Sequence, residues 1–265
     1  MAESNATATQ THTSKPTIII VHGAWHRPIH FHELSRALTS HGYKVIAPAL
    51  PSVDKAPGEI TPDSEADIAT IRHAILAELD DAASPNDVIL VPHSYGGIPS
   101  SGAVRGLDRA SRVAAGKRTS VRAIAAITSA ILPEGMSITG PDGEPAVQEG
   151  LPALMNPPPA TMFWQDMPAE SETYRQAERN LNAMSTAALF DPCRFSAFEV
   201  VDVHYLLARD DQALKFHMQE AIVRRIRDRG HVVRTEVLDG CGHSPFLSRV
   251  PETVAFVRRS AGEDV

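Results

Sequence analysis

Short apolar runs alternate with stretches of helical spacing through most of this chain. Thr17 to His22 is a β-branched run, and after the loop that begins His22-Gly23-Ala24 the apolar positions fall at Phe31, Leu34 and Leu38, so strand, loop and helix are predicted in that order. Lys44 to Ala47 reads as a second strand, stopped by Pro48 and Pro51. Ile68, Ile71, Ile75 and Leu79 then mark one face of a helix. Asp87 to Val91 is continuously hydrophobic, as a strand covered on both faces should be. A small-residue helix is predicted from Gly96 onward, with Pro99 and Gly102 tolerable only near its first turns.

The rhythm resumes with strands over Val121 to Ile131, Val200 to Leu207 and Val232 to Leu238. A helix carrying Leu214, Met218 and Ile222 on one side separates the last two, and a final helix begins at Pro251 with Val254 and Val257 inside. Six strands joined through helical crossovers imply a mostly parallel sheet with helices on its faces. Leu132 to Ser196 interrupts the pattern with Pro157-Pro158-Pro159 and one predicted helix across Glu170 to Met184. An excursion of that length is too long for a bare loop and is expected to be a lid or cap.

Composition narrows the class without naming a chemistry. The 265 residues fit one α/β domain with an insertion, and 43% hydrophobic with 22% charged residues argues against disorder and against a membrane protein. A formal charge of −7 disfavours nucleic acid as a partner. The basic cluster Arg105, Arg109, Arg112, Lys117, Arg118 and Arg122 is expected to be a solvated surface. Residues 1–15 are polar and lack an apolar signal region, so a flexible tail is expected ahead of a domain spanning 16–265. Cys193 and Cys241 form no metal-spaced pair, and a reducing, cytoplasmic setting fits them. Monomer and homodimer both remain open.

Candidate chemistry centres on Val91-Pro92-His93-Ser94-Tyr95-Gly96-Gly97, directly between a buried strand and a helix. A serine on so sharp a turn is lifted above the sheet edge as a nucleophile, although Pro92 stands where Gly-x-Ser-x-Gly has its first glycine. Taken alone, Ser94 could equally be a helix N-cap. It is joined by Gly240-Cys241-Gly242-His243-Ser244-Pro245-Phe246, which places His243 between the last strand and the last helix as a general base. Asp210 and Asp211 end the strand before it; Asp211 is the favoured orienting acid and Asp210 the alternative. The loop after the first strand would supply the Ala24 N–H to an oxyanion hole, opposite the N–H of Tyr95, with neither side chain acting directly.

These segments resemble the α/β-hydrolase superfamily, and within it the branch of plant methyl-ester esterases and hydroxynitrile lyases. The resemblance rests on Val21-His22-Gly23-Ala24-Trp25-His26, Gly42 to Pro48, His93 to Gly97, Tyr205 to Leu214 and Gly242 to Leu247. It implies the α/β-hydrolase fold, a mostly parallel six-stranded sheet flanked by helices, with a helical cap insertion at about 133–196. It also implies Asp211 as the acid, and no cofactor. Lyases of that branch carry lysine directly after the histidine, where this chain has Ser244, so cyanohydrin cleavage is disfavoured.

The expected activity is hydrolysis of an ester, thioester or lactone of a small to medium apolar molecule through an acyl-enzyme. Carbon–carbon bond chemistry or elimination on the same triad is the alternative, and a ligand receptor or pseudoenzyme the third reading. Trp25 and His22 beside the oxyanion loop, and Met162, Phe163 and Trp164 in the cap with Met155 and Met167, are candidates for the substrate wall; the cap residues could equally pack the cap onto the core. His22, His26, His30 and His32 are crowded but lack the Glu of an H-E-x-x-H motif, so no metal is expected.

Overall fold

The computed structural model describes residues 15–53, 59–138 and 150–265. The predicted tail, apart from Lys15, lies outside them. Lys15 itself is anchored, donating to the His41 carbonyl and pairing with Glu263 at 2.5 Å.

Eight strands and ten α-helices are formed by the described residues. The strands are β1 (Thr17–Val21), β2 (Val45–Ile46), β3 (Val88–Pro92), β4 (Val121–Ile127), β5 (Leu154–Met155), β6 (Met184–Ser185), β7 (Asp202–Ala208) and β8 (Val233–Leu238). The helices are α1 (His32–Ser40), α2 (Glu65–Leu79), α3 (Gly97–Val104), α4 (Arg109–Ala114), α5 (Thr161–Trp164), α6 (Glu172–Arg179), α7 (Thr186–Leu189), α8 (Phe216–Asp228), α9 (Pro245–Ser248) and α10 (Val250–Ser260).

Six strands form one parallel sheet in the order β2-β1-β3-β4-β7-β8. Successive side chains of a strand point to opposite faces, and the core divides accordingly. Ile19, Val21, Leu90, Ile124 and Tyr205 pack beneath α2, α3 and α8, whereas Ile18, Ile20, Ile89, Val91 and Ala125 pack beneath α1 and α10. This two-sided burial explains why β1 and β3 read as unbroken apolar runs.

Several boundaries differ from the sequence reading. The strand expected to reach Ile131 stops at Ile127, because Thr128 turns to φ 41°. The helix expected across Glu170 to Met184 covers only Glu172–Arg179, and Met184 pairs instead with Met155 in a small antiparallel ladder. Leu214 precedes α8, whose buried stripe is Gln219, Ile222, Val223 and Ile226. Pro99 falls in the first turn of α3, where its missing N–H costs no bond. Arg112 departs from the solvated cluster: only 5% exposed, it reaches Asp80 at 2.8 Å and the Thr119 carbonyl at 2.9 Å.

Candidate active site

The strand order fixes where a site can form. Beyond β1 the chain pairs first on one side, with β2, and then on the other, with β3, so the crevice outside the carboxyl ends of β1 and β3 is a switch point. Val21 is opposite Pro92, and therefore residues 22–25 and 93–95 leave the sheet side by side. Ala208 is opposite Leu238, which brings the loops carrying Asp211 and His243 together at the same rim.

Ser94 sits at φ 53° as the first residue of a short 3-10 turn, Ser94–Gly96, that runs into α3. That conformation is unfavourable for a residue with a Cβ and persists only where the surroundings impose it. Here they do. A Cβ on Gly96 would lie 2.7 Å from the carbonyl oxygens of Val21 and His22, and one on Gly97 2.7 Å from that of Ala130. The Ser94 carbonyl is held by Ala130 N–H and Ser129 Oγ, both at 3.0 Å. Trp25 at φ 61° and Thr128 at φ 41° are the other non-glycine residues with positive φ among the described residues, and both lie in loops at this rim.

His243 Nδ1 is 2.7 Å from Asp211 Oδ2, with both side chains buried. Asp211 Oδ1 accepts the backbone N–H groups of Ala213 and Leu214, both at 2.8 Å, while Gln219 Nε2 donates to Oδ2 at 3.0 Å. Every contact therefore favours a fixed carboxylate that holds the Nδ1 proton. Asp210 is exposed, and its backbone carbonyl oxygen accepts Gln165 and Gln212.

The His243 backbone is clamped as well. Its carbonyl accepts His93 Nε2–H at 3.0 Å and Thr128 Oγ1–H at 2.9 Å, and the rings of His93 and His243 lie 4.6 Å apart. With Nδ1 committed to Asp211, Nε2 is the nitrogen left to handle another proton. Ser94 Oγ and this nitrogen are not hydrogen-bonded to each other.

Opposite the serine, His26 N–H closes a turn onto the Gly23 carbonyl at 3.3 Å. Neither Ala24 N–H nor Tyr95 N–H is engaged by another described residue. The Tyr95 side chain, expected to be idle, is fully buried and donates through Oη to Asp67 Oδ2 at 2.7 Å. Asp67 also accepts Ser52 N–H at 2.9 Å and Ser52 Oγ–H at 2.5 Å. Burial and the neighbouring carboxylate push the Tyr95 phenol well above its ordinary value, so it remains a donor.

The five residues expected on a substrate wall do not share one role. Trp25 and Phe163 stand at the site, their rings 5.9 Å apart and Phe163 6.0 Å from His243. His22 is instead a loop clamp: it is buried, its Nε2 accepts Leu50 N–H at 3.0 Å, and its Nδ1 lies 3.0 Å from the Gly23 carbonyl. Trp164 is fully buried inside the cap with Phe163, Tyr174 and Ala177, whereas Met162, one residue earlier, is 37% exposed. Adjacent residues on a short helix cannot all face one wall.

The crowded histidines are also structural in their contacts. His26 Nδ1–H donates to the Ala24 carbonyl at 2.8 Å, and His30 Nε2–H to the Ala177 carbonyl at 3.0 Å, tying α6 to the core. Burial first, and neighbouring imidazoles after it, hold His26 and His93 well below the ordinary histidine value.

With this geometry established, the sequence model of the alpha/beta hydrolase family matches residues 18–256. The chain belongs to the alpha/beta hydrolase family. One relative is the alpha/beta hydrolase nvfD of Aspergillus novofumigatus, 29% identical over 259 residues that cover 95% of this chain and 98% of the relative. Among solved structures, a pyrethroid hydrolase from Sphingobium faniae JZ-2 superposes with a TM-score of 0.68 at 20% identity, covering 93% of this chain and 97% of that one. A methylesterase, MES16 of Arabidopsis, gives 0.68 at 19%, covering 92% and 98%. At such identities these likenesses show the alpha/beta hydrolase fold, and a plant methylesterase is among the neighbours.

Two residues of this alpha/beta hydrolase site escaped the sequence reading, and both had a readable signal. Gln219 occupies a position of the buried stripe of α8, and Asp67 precedes Ile68 on α2 in line with Ile71 and Ile75. A polar residue in an apolar stripe implies a buried partner.

Proposed function

We propose that this alpha/beta hydrolase is a serine esterase that cleaves an ester, thioester or lactone of a small to medium apolar substrate through an acyl-enzyme. The observation that carries the reading is Ser94, held at positive φ at the carboxyl end of β3, at the same rim as a buried His243–Asp211 pair. His243 Nε2 takes the Ser94 proton as Oγ attacks the acyl carbonyl, and Asp211 stabilises the imidazolium that results. The N–H groups of Ala24 and Tyr95 receive the developing oxyanion, for which their lack of other acceptors suits them. The proton then passes to the leaving alcohol, thiol or lactone oxygen, and water repeats the sequence to release the acid. The esterase-like neighbours support the same reading.

The test is a panel of p-nitrophenyl esters of graded acyl length run beside aryl lactones. At least one member should be turned over, and Ser94→Ala should lose on the order of 10⁶ in kcat. Near-normal turnover by Ser94→Ala would overturn the assignment.

A further inference from the structure

A cavity of about 270 Å³ lies between the chain leaving β4 and one flank of α8. Its walls are mainly apolar, including Ala130, Leu132, Met136, Leu214, Met218 and Ile222. Two of these touch the machinery already described: Ala130 N–H holds the Ser94 carbonyl, and Leu214 N–H holds Asp211. The cavity therefore flanks the candidate nucleophile on the Asp211 side.

Along α8 its lining residues are His217, Met218, Ala221, Ile222 and Arg225. At 1.5 Å per residue, positions 217 to 225 span about 12 Å of helix. Because the chain enters α8 from the Asp211 loop, Arg225 lies at the end remote from the triad. Arg225 is half-buried and forms no ion pair or side-chain hydrogen bond among the described residues. A cation at the end of an apolar slot is complementary to an apolar chain that terminates in an anion.

We propose that this slot binds an apolar limb ending in a carboxylate, read by Arg225 at the end remote from the triad. The volume is slightly below the roughly 300 Å³ at which ligand pockets usually begin, which suits one limb of a substrate rather than all of it. The identification of the limb as part of a substrate rests on the serine-esterase reading; binding of the limb does not.

Two measurements separate the claims. In the first, octanoate and octanol are titrated by calorimetry into the Ser94→Ala protein, alone and combined with Arg225→Ala or Arg225→Lys. Octanoate should bind about tenfold to a hundredfold more tightly than octanol, Arg225→Ala should abolish the difference, and Arg225→Lys should keep part of it. Equal affinities, or a preference that survives Arg225→Ala, would overturn the slot.

In the second, p-nitrophenyl hydrogen suberate is compared with p-nitrophenyl octanoate. The acid-bearing ester should be preferred through KM, and Arg225→Ala should remove that preference. Anion binding with no turnover of any ester would leave the slot standing and sink the esterase reading. Turnover of both esters at equal efficiency, with no octanoate binding, would sink the slot alone.

Discussion

The carboxyl rim of the sheet and the cap above it are built on different principles. At the rim, side chains contact side chains: His243 with Asp211, Asp211 with Gln219, and Tyr95 with Asp67. The cap is laced to the core largely through backbone atoms. Asn182 N–H donates to the Trp25 carbonyl, Ser185 N–H to the Ser52 carbonyl and Ser244 N–H to the Phe163 carbonyl, while Trp25 Nε1–H reaches the Met155 carbonyl. The rim should therefore be intolerant of changed chemistry, and the cap intolerant of changed shape.

The sharpest way to break this comparison is an isosteric change at the rim. Asp211→Asn keeps the volume but removes the charge that fixes the histidine tautomer, and kcat should fall about 10⁴-fold with little change in fold. Asp210→Asn, one residue away and exposed, should leave kcat unaltered. Comparable losses in the two variants, read by ester kinetics, would mean that Asp211 is not the acid.

In the cap the expected response is loss of stability. Phe163→Ala opens a cavity among Trp164, Tyr174 and Ala177 and should cost about 3–5 kcal/mol in denaturant unfolding. Met162→Ala, on the exposed side of the same helix, should stay within about 0.5 kcal/mol. Equal effects would mean that α5 is not seated as described.

Tyr95→Phe sharpens the comparison from the rim. It removes one donor from the buried Asp67 carboxylate, and stability should fall by about 1–3 kcal/mol. Since Tyr95 also carries a proposed oxyanion donor, kcat should fall more than KM rises, whereas a purely structural tyrosine would lower the amount of active protein without altering kcat per active site.

The smallest effect is the one with pH. His26 and His93 have folded-state values depressed below the ordinary 6.5, so the unfolded chain binds the additional protons. Stability should be level above neutrality and decline as pH falls below about 6.5, measured as the urea midpoint. A midpoint unchanged down to pH 5 would show that these imidazoles are not held neutral.

The same contrast explains what could be read from the chain itself. The parallel sheet was legible because β1 and β3 are buried on both faces and advertise it as unbroken apolar runs. Ser94, His243 and Asp211 could be singled out as candidates because each sits at a strand end with a distinctive neighbour, although preferring Asp211 to Asp210 required the resemblance, and the geometry then pairs Asp211 with His243. The contacts of His22 and Trp164 were not legible, because a histidine beside a strand-end loop and an aromatic in a long insertion can turn either way, and backbone partners leave no trace in composition. Asp67 and Gln219 could have been found as polar residues in apolar stripes, but their partners lie 28 and 8 residues away in sequence.

The central claim is that Ser94, His243 and Asp211 act as one proton-handling unit. The most direct measurement is the rate of labelling by a fluorophosphonate, followed by intact mass and peptide mapping, in the native protein and in His243→Ala. The account predicts one adduct per chain on the Ser94 peptide, formed orders of magnitude more slowly without the imidazole. An adduct on another residue, or labelling of Ser94 at an unchanged rate in His243→Ala, would contradict it.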